Sequence, residues 1–89
     1  MSETPEHRIK RLRMRSMRRG IKEMDLILIA FSDAELAGLN AEEVDLYDRL
    51  LSENDHDLYQ WVSGQTKTPA PYVDMIARIA ARADGVVKV

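Results

Sequence analysis

"IKEMDLILIAFSDAEL", residues 21–36, is the stretch whose reading decides the fold. Ile21, Met24, Leu28 and Phe31 recur at i, i+3, i+7 and i+10, the period of a helix. Leu26, Ile27 and Ile29 widen that stripe until apolar side chains nearly encircle the axis, which predicts a central, buried helix. A strand over 26–31 is the competing reading, because a short apolar run fits both. No second run elsewhere could pair with such a strand, so a helix over about 21–36 is expected.

Four more helices follow outward from it. Upstream, residues 6–18 place Ile9, Leu12, Ser16 and Met17 near one stripe, with arginines over the rest. Downstream, "NAEE" opens a third helix: Asn40 caps and Glu43 reaches back, with Val44, Tyr47, Leu50 and Leu51 facing inward. Asn54 or Asp55 caps a fourth, whose patch is Leu58, Trp61 and Val62 and whose stop is Gly64. "QTKTPAP" is a turn, and Pro69 or Pro71 suits the first position of a fifth helix. Tyr72, Ile76, Ile79, Ala80 and Ala83 form its stripe; Gly85 ends it, and "VVKV" is read as a loose tail. The expected product is all-α: a compact five-helix bundle in a single domain, ordered over about 6–84.

Size and composition limit what such a domain can do. At 89 residues the chain buries roughly 60–65% of its unfolded surface, so the core is thin. There is no cysteine, which excludes disulfides, thiolate metal sites and cysteine nucleophiles. No apolar run approaches the roughly 20 residues that cross a bilayer. Only His7 and His56 could serve as bases near neutral pH, and no Ser/His/Asp set can be assembled around either. No glycine-rich phosphate loop or dinucleotide fingerprint occurs. The mixed "NDHD" (54–57) reads as a capped helix start rather than a metal site, and no enzyme activity is expected.

Charge is distributed unevenly. Residues 1–22 carry a formal +6 and the remainder −8, giving the overall −2. Such asymmetry suggests a basic face with a task. Nucleic acid is the runner-up partner, in a small helical nucleic-acid-binding or antitoxin-like module using the basic first helix, because phosphate binding requires only Lys and Arg. The sequence pI of about 5.6 and the lack of interleaved aromatics speak against it. Met14 and Met17 fall among the arginines; core filling is the first reading, and adaptable binding surface the second.

"MRRGIKEMD" (17–25) holds a glycine inside the densest charge cluster. Gly20 could supply a backbone conformation that other residues reach only with strain, or could let another backbone approach closely. Arg19 could form a fork to a carboxylate or phosphate of a partner. Glu23 could accept from a partner's N–H groups, or pair internally with Arg19 at i, i+4.

"RRGIKEMDLIL" with the following "F", then "YDRLLSENDHDLYQWV", resembles the small flavinylation-factor family, which includes bacterial SdhE-type proteins and mitochondrial succinate dehydrogenase assembly factor 2. The family's Arg-Gly-x-x-Glu hallmark is met by Arg19, Gly20 and Glu23. Its second block is met by Leu50, Leu51, Asp55, Asp57, Leu58 and Trp61. The resemblance spans about 8–64, and no family motif follows Gly64. It implies a five-helix fold and an assembly factor that binds the flavoprotein subunit of succinate dehydrogenase, and in some bacteria of fumarate reductase. The factor promotes covalent attachment of FAD to a histidine of that client and holds no FAD stably itself. Carried onto this chain, the partner-binding residues are Arg19, Gly20 and Glu23, with Arg18 and Arg15 beside them. A monomer in a bacterial cytoplasm is expected. The arginine-rich start has the composition of a mitochondrial transit peptide, but Glu3, Glu6 and the unbroken run into apolar sequence argue against a matrix protein.

Overall fold

In the computed structural model, which describes residues 3–83, the 21–36 stretch is helical. The elements are α1 (Pro5–Arg15), α2 (Lys22–Glu35), a 3-10 turn (Leu36–Gly38), α3 (Ala41–Leu50), α4 (Asp55–Val62), a second 3-10 turn (Ala70–Tyr72) and α5 (Val73–Ala83). The described residues contain five α-helices and no strand. The expected stop at Gly85 and the "VVKV" tail lie outside the described residues.

Each helix has a local reason to begin or end where it does. Thr4 caps α1, its hydroxyl accepting from the His7 amide at 3.2 Å, with Pro5 in the first turn. Asn40 and Glu43 form a reciprocal capping box at the start of α3, at 2.8 and 2.9 Å. Asn54, not Asp55, caps α4. Gly64, at φ 79°, closes α4: the Gln65 amide donates to the Gln60 carbonyl and the Gly64 amide to the Trp61 carbonyl, a Schellman arrangement. α1 ends three residues earlier than its apolar spacing suggests. The Ser16 hydroxyl donates back to the Leu12 carbonyl at 2.8 Å, and the left-handed residue beyond it is Arg18, at φ 55°. The prolines feed a 3-10 turn before α5 rather than opening α5 itself.

α2 lies at the centre and packs against α1, α4 and α5. Met24, Ile27, Leu28 and Phe31 are fully buried on it, and Phe31 meets Tyr47 of α3 with ring centroids 5.4 Å apart. The encirclement expected of α2 is incomplete, since Leu26 is 41% exposed and Ile29 only half-buried. Four short neighbours cannot close round a fourteen-residue helix in so thin a domain. α1 contributes fully buried Leu12 and Ser16, which joins the arginine segment to the core. Trp61 is half-buried and stacks on Tyr72, as its packing role predicts.

Ion pairs tie the helices together over this core. Arg8, Arg11 and Arg15 on α1 converge on Asp48 of α3; Arg8 also meets Asp45, and Arg11 meets Glu3. Arg13 pairs with Asp33. On the far side Arg78 and Arg82 of α5 hold Glu35, and Arg78 also holds Glu43. The hydrogen bond from Arg11 keeps the Asp48 carboxyl below its ordinary pKa, against the opposing effect of burial. At Glu35 burial raises the pKa, but the bonds from Arg78 and Arg82 outweigh it and the net shift is downward. Groups depressed in the folded state stabilise it above their unfolded pKa, about 4, and lose that contribution as pH falls through the folded value. Thermal melts from pH 7 downward should therefore hold until about pH 5 and then drop steadily. A melting temperature flat to pH 3 would contradict this.

Candidate functional site

Residues 16–21 form the turn between α1 and α2, with Lys22 opening α2, and Arg19 anchors it from beneath. The Arg19 guanidinium is not offered to solvent: the side chain is 11% exposed. Its Nε donates to Asp55 Oδ1 at 2.7 Å, Nη1 to the Arg15 carbonyl at 2.8 Å and Nη2 to the Leu51 carbonyl at 3.0 Å. Those carbonyls end α1 and α3, where helical acceptors lack intrahelical partners and the helix dipole favours a cation. Asp55 is the first residue of α4, at the end where the dipole favours an anion. One ion pair thus fastens three helix termini.

Gly20 completes the clamp. Its amide donates to Asp55 Oδ2 at 2.7 Å, so the carboxylate is gripped through both oxygens. A Cβ at Gly20 would stand 3.0 Å from that Oδ2. The glycine is there for close approach, and the approaching group is a side-chain carboxylate. Backbone freedom is not the reason, because the left-handed residue of the turn is Arg18.

The sequence-selected residues therefore divide in two. Arg19 faces inward rather than outward as a fork. Arg15 is pinned to Asp48 and to the Ser52 hydroxyl. Arg18 and Glu23 face solvent, and neither has a hydrogen-bonded or ionic partner among the described residues. The internal Arg19–Glu23 pair does not form, since Asp55 occupies the guanidinium. The Arg19 amide instead reaches Asp25 at 3.4 Å. The exposed tip thus presents two cations, Arg18 and Lys22, and one carboxylate, Glu23, none of them paired among the described residues, with the exposed Gly20 backbone between them. Sequence reading placed Asp55 in the second motif block and among the candidate caps but did not join it to Arg19. Thirty-six residues separate the two, and no local periodicity links them.

Nothing in this geometry resembles a reaction centre. His7 and His56 are both exposed. The buried Tyr47 hydroxyl sits 2.6 Å from Ser16 Oγ, and burial pushes its pKa up to about 12. An open groove of about 680 Å³ is lined by Arg8, Glu42, Asp45, Asp48, Arg49 and Ser52. Its carboxylates outnumber its guanidiniums and suit a dinucleotide's pyrophosphate poorly. No helix among the described residues is long and apolar enough to cross a membrane.

The family model described as "Flavinator of succinate dehydrogenase" matches residues 10–83, continuing through α5 beyond the motifs. The chain is 40% identical over 76 residues to succinate dehydrogenase assembly factor 2-B, mitochondrial, of Drosophila mojavensis, covering 83% of this chain and 48% of that protein. It is 42% identical over 72 residues to the Candida glabrata succinate dehydrogenase assembly factor 2, mitochondrial, with 80% and 47% covered. With the Aspergillus terreus protein of the same name the identity is 49% over 53 residues, 60% of this chain and 18% of that protein. The chain spans less than half the length of each of these relatives. Matched from the second half of α1 through α5, it belongs to the flavinator of succinate dehydrogenase family.

Proposed function

We propose that this chain is an assembly factor that binds the flavoprotein subunit of succinate dehydrogenase, or in some bacteria of fumarate reductase, and promotes covalent attachment of FAD to it. The observation that carries the reading is the family match over residues 10–83. The exposed Arg18–Gly20–Glu23 tip supports it, being a charged surface on a rigid base, where recognition residues commonly sit. The bond is made by the client's own histidine and flavin. This protein contributes by holding the client so that the two meet in an attack geometry, an effect that can lower a barrier by several kcal/mol without a reacting group in the helper.

Within that reading the five residues have separate tasks. Glu23 and Arg18 contact charged or backbone groups of the client, and the uncovered Gly20 backbone lets the client come close. Arg19 and Arg15 act indirectly, keeping the tip in position through Asp55 and Asp48. FAD stays with the client. A monomer acts on each client, in a bacterial cytoplasm.

The test is reconstitution. Purified flavin-free flavoprotein is incubated with FAD, with and without this protein, and covalent flavin is followed by fluorescence after denaturing electrophoresis. The protein should raise the yield, and an unchanged yield overturns the proposal. Glu23→Ala should cut the yield about tenfold or more, as loss of a central contact does, while leaving the melting temperature within a few degrees because Glu23 has no internal partner. Undiminished flavinylation by that variant removes Glu23 from the interface.

A further inference from the structure

Folding leaves two large apolar side chains at the end of α1 in water: Met14, in its last turn, is 67% exposed and Met17, two residues beyond the helix, 36%. They are neighbours along one surface. Ile9, Lys10, Arg13, Met14 and Met17, with Glu6 at the start, line an open groove of about 340 Å³. Positions 6, 9, 10, 13 and 14 share one helical face, turned away from the flank that carries Arg8, Arg11 and Arg15 to α3, and Met17, in the turn that follows, lines the same groove. Single exposed apolar residues require no explanation, whereas a contiguous strip does. Methionine suits such a strip, since its flexible, polarizable chain moulds to varied partners.

The charges around the strip define what could cover it. Arg13 is taken by Asp33. Lys10, inside the groove, and Arg18, next after Met17, have no ion-pair partner among the described residues. The free charge beside the apolar surface is therefore cationic, with one carboxylate, Glu6, at the end remote from Arg18 in the chain. Arg18 also belongs to the turn tip, so the chain passes directly from the strip at Met17 into the tip.

We infer that the Ile9–Met14–Met17 face is a second half of the client interface and takes an acidic, amphipathic segment of the flavoprotein. Apolar side chains of that segment cover Met14 and Met17, while its carboxylates meet Lys10 and Arg18. The inference rests on the reading that the flavoprotein is the client. A nucleic acid would use the two cations but would find no aromatic platform beside them.

The experiment measures affinity of the full chain for flavin-free flavoprotein by calorimetry, for wild type, Met14→Glu, Met14→Leu, Lys10→Glu and Glu23→Ala. Met14→Glu should bind about tenfold or more weakly, having lost apolar burial and gained a like charge facing the segment. Met14→Leu should bind within about threefold of wild type. Lys10→Glu should also weaken binding and reduce its sensitivity to salt. Circular dichroism should be unaltered in all, since Met14 and Lys10 are exposed. If Met14→Glu binds as tightly as wild type while Glu23→Ala does not, the methionine strip lies outside the interface and the client reading stands. If wild type itself does not bind, the client reading fails. Self-association in sedimentation that Met14→Glu abolishes, or binding of a labelled oligonucleotide that Met14→Glu impairs, would assign the strip to another occupant and overturn the inference.

Discussion

Truncating Asp55 to alanine should cost about 3 kcal/mol of folding free energy and lower the melting temperature by roughly 15 °C in a domain of this size. Most surface ion pairs are worth less than about 1 kcal/mol, so the expectation depends on burial. Arg19 is 11% exposed and Asp55 20%, which puts the pair nearer the buried regime. Without Asp55 the guanidinium remains between two helix ends, still bonded to the Arg15 and Leu51 carbonyls, with its charge uncompensated. The first turn of α4 also loses an anion at its favourable end. Released Gly20 N–H adds little, because water can reach it.

A double-mutant cycle separates these contributions. Arg19→Met alone should be about as costly as Asp55→Ala, since it strands two carbonyls and a carboxylate. The double variant should cost clearly less than the sum, with a coupling of about 1–3 kcal/mol measured by urea unfolding. It should not return to wild type, because a thioether donates nothing to the Arg15 and Leu51 carbonyls. A single-variant loss below about 1 kcal/mol, with no coupling, would reduce the clamp to an ordinary surface pair.

What the sequence made legible follows the range of each interaction. The helix over 21–36 was readable because Ile21, Met24, Leu28 and Phe31 carry their period in plain order. Asn40 with Glu43, and Gly64, were readable because caps act within a few residues. The residues alone leave Arg19 open between an outward fork and a pair with Glu23, and only the family resemblance turns it outward; the one carboxylate it does bind is remote in the chain. Its partner lies at the start of another helix, a relation set by tertiary packing. The group close to Gly20 comes from that same distant helix start, so no local signal points to it either. Arg18 at positive φ had no local signal, since arginine seldom adopts that conformation. Leu26 and Met14 show the opposite limit. Apolar spacing marks what could be buried, while the number of available neighbours decides what is.

Gly20→Val should disrupt the protein more selectively than any core truncation. The added Cβ would stand 3.0 Å from Asp55 Oδ2, and that oxygen cannot swing away cheaply because Oδ1 is held by Arg19. Relief requires shifting the turn or breaking the Gly20–Asp55 bond, at a cost of about 1–3 kcal/mol as in other overpacked sites. The displaced tip should then reduce covalent flavin on the client about tenfold or more, because small misplacements of positioning groups carry rate losses of that order. Gly20→Ala is the informative contrast. Gly20 is not left-handed, so alanine should gain about 0.4–1 kcal/mol from the unfolded state, offsetting much of its smaller clash. Its stability should stay near wild type while flavinylation falls partway. The decisive comparison is Gly20→Val in an Asp55→Ala background. With the carboxylate gone, the valine meets open space and should add little further destabilisation, so the two costs should be strongly non-additive. Full additivity in denaturant melts would mean that Gly20 is required for something other than the approach of Asp55.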